Sequence, residues 1–399
     1  MDTPFNSDWF VSTWLKHFKN SIPPKQFEFI NGVRFYKHKY LPLYTNIDKN
    51  LTKGFDYTID PKKIKKSNNV FLIYDIPSYY NTPSIKDLKY LKSNHIPQYN
   101  GYLTTIKKYS CIDNFLELNF SKSVRKLLRK RENRITKSFN ISSKMFYGAI
   151  DINSYNTLFD RLFELLTKRF EEKQTNYHII SKWDYIKELT YPMILNKEAA
   201  LFVMYDDSEP IAMQLCFQHQ KKLIGAIPVY DTDYSKYGLG NILTFKVIEW
   251  CIKNDMHIFD SSKGDNGIKK QISDIVYRFE FHVLYNPRSV TSNLVALSIT
   301  SLFRSKQYLR KRNLHTYYHL TRFKLEKILG NHQLNQLNYE IVKEEFDITK
   351  VKDILPINYK ERKFSFLNRM VCDFLYSSLE KKDDVKLYKN VIATISSDS

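Results

Sequence analysis

Glycine is scarce in this 399-residue chain, 10 residues in all, and proline is little commoner at 13. That scarcity excludes collagen-like and flexible-linker architectures. It also makes each glycine a position to explain, since glycine gives up the most backbone freedom on folding. Cysteine is rarer still. Cys111, Cys216, Cys251 and Cys372 lie far apart with no CxxC or Cys/His spacing, which excludes a disulfide framework and a zinc-finger pattern and suits buried thiols in a reducing compartment. No stretch reaches ~18 uncharged apolar residues, and the N-terminal MDTPFNSDWFVSTWLKHF has no basic leader running into an apolar segment. The expectation is a cytoplasmic protein without a secretory signal or stable membrane span.

Acid is the other shortage: 42 Asp+Glu face 62 Lys+Arg, a net charge of +20. Such a field attracts nucleic acid, anionic lipid or phosphorylated ligands, although an AT-rich genome produces the same lysine-rich bias. What the chain has in quantity is apolar and aromatic material, 43% hydrophobic with 29 Tyr and 27 Phe, enough for packed interiors. The length predicts two or three domains.

Residues 1–118 read as a small α+β unit of short strands, with an Asn31-Gly32 hairpin signal and a buried strand, NNVFLIYDIP, ended by Pro77. From Ser121, a plausible N-cap, a basic amphipathic helix follows, with Val124, Leu127, Leu128, Arg131 and Ile135 as its inner stripe. Helices are expected around 153–172 and 181–195, then three antiparallel strands, AALFVMYDD, PIAMQLCFQHQ and LIGAIPVY. Pro228 near the end of the third strand demands an edge, a bulge or a place where strands part. GLGNILTFKVIEWCIKND then reads as a nearly buried helix, MHIFDSS as a strand, GIKKQISD as a short helix and VYRFEFHVLYN as a last strand. Residues 291–399 read as a mainly helical C-terminal extension.

Two stretches could carry chemistry. In VYDTDYSKYGLGNIL, Gly238-Leu239-Gly240 joins a strand to a helix, where exposed backbone N–H groups at the helix's positive end suit a phosphate. In FDSSKGDNGIKKQ, an aspartate at a strand end precedes Gly264, Gly267 and two lysines. His219, His257 and His282 lack ligand spacing, and no metal site is expected.

The ordered series SKSVRKLLRKRENRITK, EPIAMQLCFQHQKKLIGAIPVYDTDYSKYGLGNILTFKVIEW and FDSSKGDNGIKK resembles the GNAT superfamily of N-acyltransferases. Within it, the series resembles the subgroup of cellulose-biosynthesis-type acetyltransferases, related in fold to Fem-type aminoacyltransferases. The resemblance covers about residues 118–290. It implies an α+β (mixed α/β) fold, a GNAT-like twisted mixed sheet flanked by helices over 119–290, with 1–118 a possibly degenerate GNAT-like unit. It further implies acetyl-CoA or another acyl-CoA as co-substrate, its pyrophosphate held by Lys236 and the backbone of Gly238, Leu239, Gly240, Asn241 and Ile242. Asp260, Gly264 and Lys269 would shape the floor of the active cleft, with Lys269 supplying a cation. Acyl transfer to an amine or hydroxyl needs a base for the acceptor and an acid for the leaving thiolate. Asp260 is the first candidate base, Asp231 and Asp233 the second, and Tyr230, Tyr234 or Tyr237 the candidate acids near the sulfur.

Three functions follow. The first is an acyl-CoA-dependent N- or O-acyltransferase acting on a sugar, cell-envelope precursor or small metabolite. The second is a Fem-type enzyme with aminoacyl-tRNA as donor, which the basic helix of 121–137 suits. The third is a non-enzymatic basic module for nucleic acid or an anionic membrane surface.

Overall fold

The computed structural model describes residues 3–19, 22–47, 56–80, 88–312, 354–359 and 361–390. The strands are β1 (Lys25–Phe27), β2 (Ile30–Lys37), β3 (Leu43–Asn46), β4 (Thr58–Ile59), β5 (Val70–Pro77), β6 (Lys92–Thr105), β7 (Ile141–Phe146), β8 (Ala199–Asp206), β9 (Glu209–His219), β10 (Lys222–Tyr230), β11 (Ile258–Lys263) and β12 (Ile275–Tyr285). They form one sheet in the order β1-β2-β3-β5-β12-β6-β11-β10-β9-β8-β7, with β4 beside β2. Pairs β3/β5 and β10/β11 are parallel and the other pairs antiparallel. This is the mixed α/β class expected. Strand β12 lies between β5 and β6, so strands from residues 1–118 and from 119–290 share one sheet.

Helices cover both faces. On one face α1 (Asp8–Lys19), α4 (Ile152–Glu172) and α5 (Trp183–Leu195) bury Trp14, Phe159 and Leu189 against Val203, Met213 and Leu215. On the other, α2 (Ile112–Asn119), α3 (Lys122–Ser138), α6 (Leu239–Lys253) and α9 (Asn368–Ser378) bury Phe115, Ile135, Val247 and Leu375 against Phe202, Cys216 and Leu223. The meander β8-β9-β10 is apolar on both sides because both are covered. Two further helices, α7 (Gly267–Ile272) and α8 (Val290–Lys311), flank β12 in the chain, and β13 (Ile354–Ile357) pairs with β14 (Leu387–Asn390). Residues 313–353, within the expected helical extension, lie outside the described residues. Among the described residues no helix is long and apolar enough to cross a membrane.

Local chemistry explains the element ends that matter. Ser121 Oγ accepts from the Val124 amide and caps α3, as its position before a glycine-free and proline-free run predicts. Only part of the expected inner stripe is inward. Ile135 is buried, Val124 and Leu128 pack at the edge of the core, and Leu127 is exposed. The cause is the neighbouring layer: α3 leans on the start of α6 through Arg131, which approaches Gly238, and not through Leu127.

The hairpin signal at Asn31-Gly32 is corrected. The turn falls at Glu28-Phe29, between Phe27 and its partner Ile30, and Gly32 lies inside β2. Gly32 has φ +84, and a Cβ there would stand 3.2 Å from the Asp56 carbonyl oxygen, so it serves a close backbone approach and not a turn.

Candidate active site

Strands β10 and β11 pair at three positions only: Lys222 with Ile258, Leu223 with Phe259, and Ile224 with Asp260. Beyond them an irregularity between Gly225 and Ile227 turns β10 away while it keeps its pairing with β9. Strand β11 continues beside β6, with its own irregularity between Asp260 and Ser262. The strands therefore part in a V. Pro228, itself exposed between buried neighbours, lies on the parted section of β10, where its missing N–H breaks no bond to β11.

A cleft of about 410 Å³ opens in the V. One wall is Gly225, Ala226 and Pro228, the other Ser261, Ser262 and Lys263, and the N-terminus of α6 closes one end. Gly238 caps that helix in the left-handed conformation, φ +66 and ψ 39, which only glycine adopts without cost. Gly240 serves a different need: a Cβ there would come within 2.7 Å of the Tyr230 ring. The first turn of a helix leaves amides without intrahelical partners, at its positive end. Here that turn faces the cleft through Gly238, Leu239, Gly240 and Asn241.

Arg169, near the end of α4, adds a cation to the same cleft. Its guanidinium lies 4.6 Å from the Tyr230 ring centroid, and its Nη1 donates to the Pro228 carbonyl at 3.0 Å. Lys269 comes from α7, which Asn266 caps by accepting from the Lys269 amide at 2.8 Å. Its Nζ donates to the Lys263 carbonyl at 2.6 Å, and burial pushes its ammonium down to about 8. Gly264, at φ +103, lets the chain turn between β11 and α7. A Cβ on Gly267 would meet nothing, so no protein neighbour requires glycine there.

Asp260 stands at the apex of the V, paired with Ile224, but its side chain does not line the cleft. It is fully buried among tyrosines. Its oxygens accept from Tyr277 Oη at 2.8 Å, from Tyr79 Oη at 3.1 Å and from the Ser262 amide at 2.8 Å. Lys222 Nζ in turn donates to Tyr79 Oη at 2.9 Å and Tyr80 Oη at 3.0 Å. Burial raises the Asp260 carboxyl above its usual range, against the hydrogen bonds from Tyr277, Ser262 and Tyr79. Burial also pushes Lys222 down to about 8. A hydrogen-bonded chain thus runs from the Lys222 side chain through the Tyr79 hydroxyl to the carboxylate at the apex.

Of the candidate acids, Tyr230 lines the cleft, and the structure does not bring the remaining candidates to it. Tyr237 is buried, with Oη donating to the Cys372 carbonyl at 3.2 Å. Lys236 turns away to Asp373, 3.1 Å from its Oδ2, and Ile242 packs into the core. Asp231 and Asp233 are held by Lys168 at 2.7 and 2.6 Å, a buried ion cluster that ties α4 to the loop before α6. Tyr234 Oη donates to Asp206 at 3.3 Å. Sequence reasoning missed Arg169, Lys222, Tyr79 and Tyr80. Local spacing holds no sign of Arg169, 69 residues before Gly238, and Lys221-Lys222 reads as an ordinary turn.

No curated protein sequence matches the chain. Among solved structures, similarity in fold is found with FemX, at 12% identity over 70% of this chain and 91% of that one, TM-score 0.49. L-PGS from Bacillus licheniformis matches at 11% identity over 76% of this chain and 98% of that one, TM-score 0.44. A third is the C-terminal domain of a putative lysylphosphatidylglycerol synthetase from Agrobacterium fabrum, at 9% identity over 69% of this chain and 88% of that one, TM-score 0.43. By sequence, residues 122–270 match the acetyltransferase (GNAT) domain family, and that stretch holds the whole cleft lining but for Ile272.

Proposed function

We propose that the protein is an acyl-CoA-dependent N- or O-acyltransferase. The coenzyme A thioester lies between β10 and β11, its pyrophosphate on the first turn of α6 and its acyl group at the apex beside Asp260. The observation that carries this reading is the pairing of β10 and β11 at three positions only, followed by a V that opens onto a glycine-capped helix start. A thioester donor can use the unpaired strand edges as hydrogen-bond partners, and the helix terminus suits a pyrophosphate. Arg169 and Lys269 add positive charge along the same cleft. Asp260, buried out of the cleft, takes up the proton of the attacking amine or hydroxyl through the Tyr79 hydroxyl, which is hydrogen-bonded to it and only partly buried, with Lys222 behind. The acceptor class we assign is a sugar, a cell-envelope precursor or a small metabolite, and the cellulose-biosynthesis-type subgroup remains part of this proposal.

One observation favours an aminoacyl-tRNA donor instead. Helix α3 lines a groove of about 690 Å³ that includes Lys122, Lys126, Lys130 and Lys137. Arg125 and Arg129 in the same groove are each answered by an acid at 3.3 Å, Glu117 and Asp113. The two donors separate in one experiment, titration of the full chain with acetyl-CoA and with tRNA at rising salt. The proposal expects acetyl-CoA to bind with weak salt dependence. Binding of tRNA alone, falling steeply with salt as phosphate contacts dictate, would transfer the assignment to the Fem-type reading.

A further inference from the structure

Strands β6 and β12 place two histidines directly opposite each other, His95 and His282, with rings stacked 3.8 Å apart and 7° from parallel. Glu280 stands two residues before His282 on β12. Its Oε2 lies 3.3 Å from His282 Nε2 and 3.5 Å from His95 Nδ1. Among the described residues these three bring one ligand atom each within 4.8 Å of one another. They are 187 residues apart at their widest, His95 to His282, so no spacing rule applied to the sequence could join them.

We propose that His95, Glu280 and His282 form a binding site for a divalent transition ion of the zinc class, two imidazoles and a carboxylate with the fourth position open to solvent. The donor set selects the ion. Imidazole nitrogens favour zinc, cobalt, nickel and copper over magnesium or calcium, which prefer all-oxygen shells. Three protein ligands with one open position is a recurrent zinc arrangement. Directly opposed strand residues hold their Cβ atoms ~4.5–5.5 Å apart, close enough for two imidazoles to share an ion with bonds of ~2.0–2.2 Å.

The surroundings divide the two rings into a fixed and a mobile ligand. His282 is fully buried, and Tyr57 Oη lies 2.9 Å from its Nδ1. With an ion bound, a Tyr57 oxygen accepting Nδ1–H would fix the tautomer that offers the Nε2 lone pair to the ion, the outer support that ligating histidines commonly have. The His95 side chain is 37% exposed. Parallel rings cannot both aim at one point, so capture of an ion requires one to turn. His95 has the room to do so, and its exposed edge gives the ion and its water a way in. An ion there would pin β6 to β12, the strand pair that carries Tyr277 beside Asp260.

The test is titration of the metal-stripped full chain with Zn²⁺, followed by calorimetry and thermal melting, with Mg²⁺ as control. The site predicts one equivalent of Zn²⁺ with micromolar or tighter affinity, a raised melting temperature, and no response to Mg²⁺. His95→Ala changes a partly exposed side chain and should keep the fold and acetyl-CoA response while weakening Zn²⁺ at least tenfold. Tyr57→Phe should weaken it ~10–100-fold at unchanged stoichiometry. The proposal is overturned if the wild type takes up no Zn²⁺, or if His95→Ala binds it as the wild type does, which would make the cluster a hydrogen-bonded one only.

Discussion

Asp260 and Lys222 are both ionisable groups withdrawn from water at the apex of a cleft, the kind of pair in which perturbed protonation marks function. If Asp260 accepts the acceptor's proton, Asp260→Asn should lower turnover by ~10²–10⁴-fold while donor affinity stays near wild type, measured at saturating donor. Near-normal turnover would reduce Asp260 to a clamp for Tyr79 and Tyr277. Lys222 adds a pH signature. Burial lowers its ammonium from the ordinary 10.5 to about 8, so the folded protein gives up this proton earlier than the unfolded chain does. The stability associated with it is full above pH 10.5 and is lost as pH falls through about 8. The rate should follow: kcat/KM rises with pH to a limb near 8, and Lys222→Met should abolish that limb.

Helix α6 shows which parts of the site a sequence can disclose. Its buried length, the glycines before it, the strand–helix–strand order and the odd placement of Pro228 are all local features, legible because strand and helix periods and turn chemistry act over a few residues. The chemistry around Asp260 is not local. Its partners Tyr79 and Tyr277 come from a loop and a strand on either side of it in the chain, and the V is defined by a pairing that stops, which no pattern of side chains announces. The same limit explains Tyr237 and Lys236, near the glycine turn in sequence but directed to α9. Gly238 offers an element-scale test. Its left-handed backbone predicts that Gly238→Ala costs ~1–2 kcal/mol of stability, while Gly238→Asn, a side chain that tolerates that conformation, costs less; thermal or urea melts would measure both. Equal losses would assign the damage to the Arg131 contact, which a Cβ would reach at 3.0 Å.

At the scale of the whole molecule, one sheet joins an N-terminal set of strands to the GNAT-matching stretch, and the β6–β11 pair is the seam, with β12 inserted between β5 and β6. The tyrosines that cover Asp260 come from the turn after β5 and from β12, both outside the matched stretch, so the floor of the site depends on the full sheet. The net charge of +20 also acts at this scale, drawing anionic partners of any kind. Only a site-specific change separates a seated donor from that general attraction. The decisive measurement is calorimetric titration of the full chain with acetyl-CoA beside Gly240→Val, whose side chain would collide with Tyr230 at the start of α6. The account predicts one molecule bound per wild-type chain and none by a variant with unchanged circular dichroism. No heat with the wild type, or equal binding by both proteins, would contradict it.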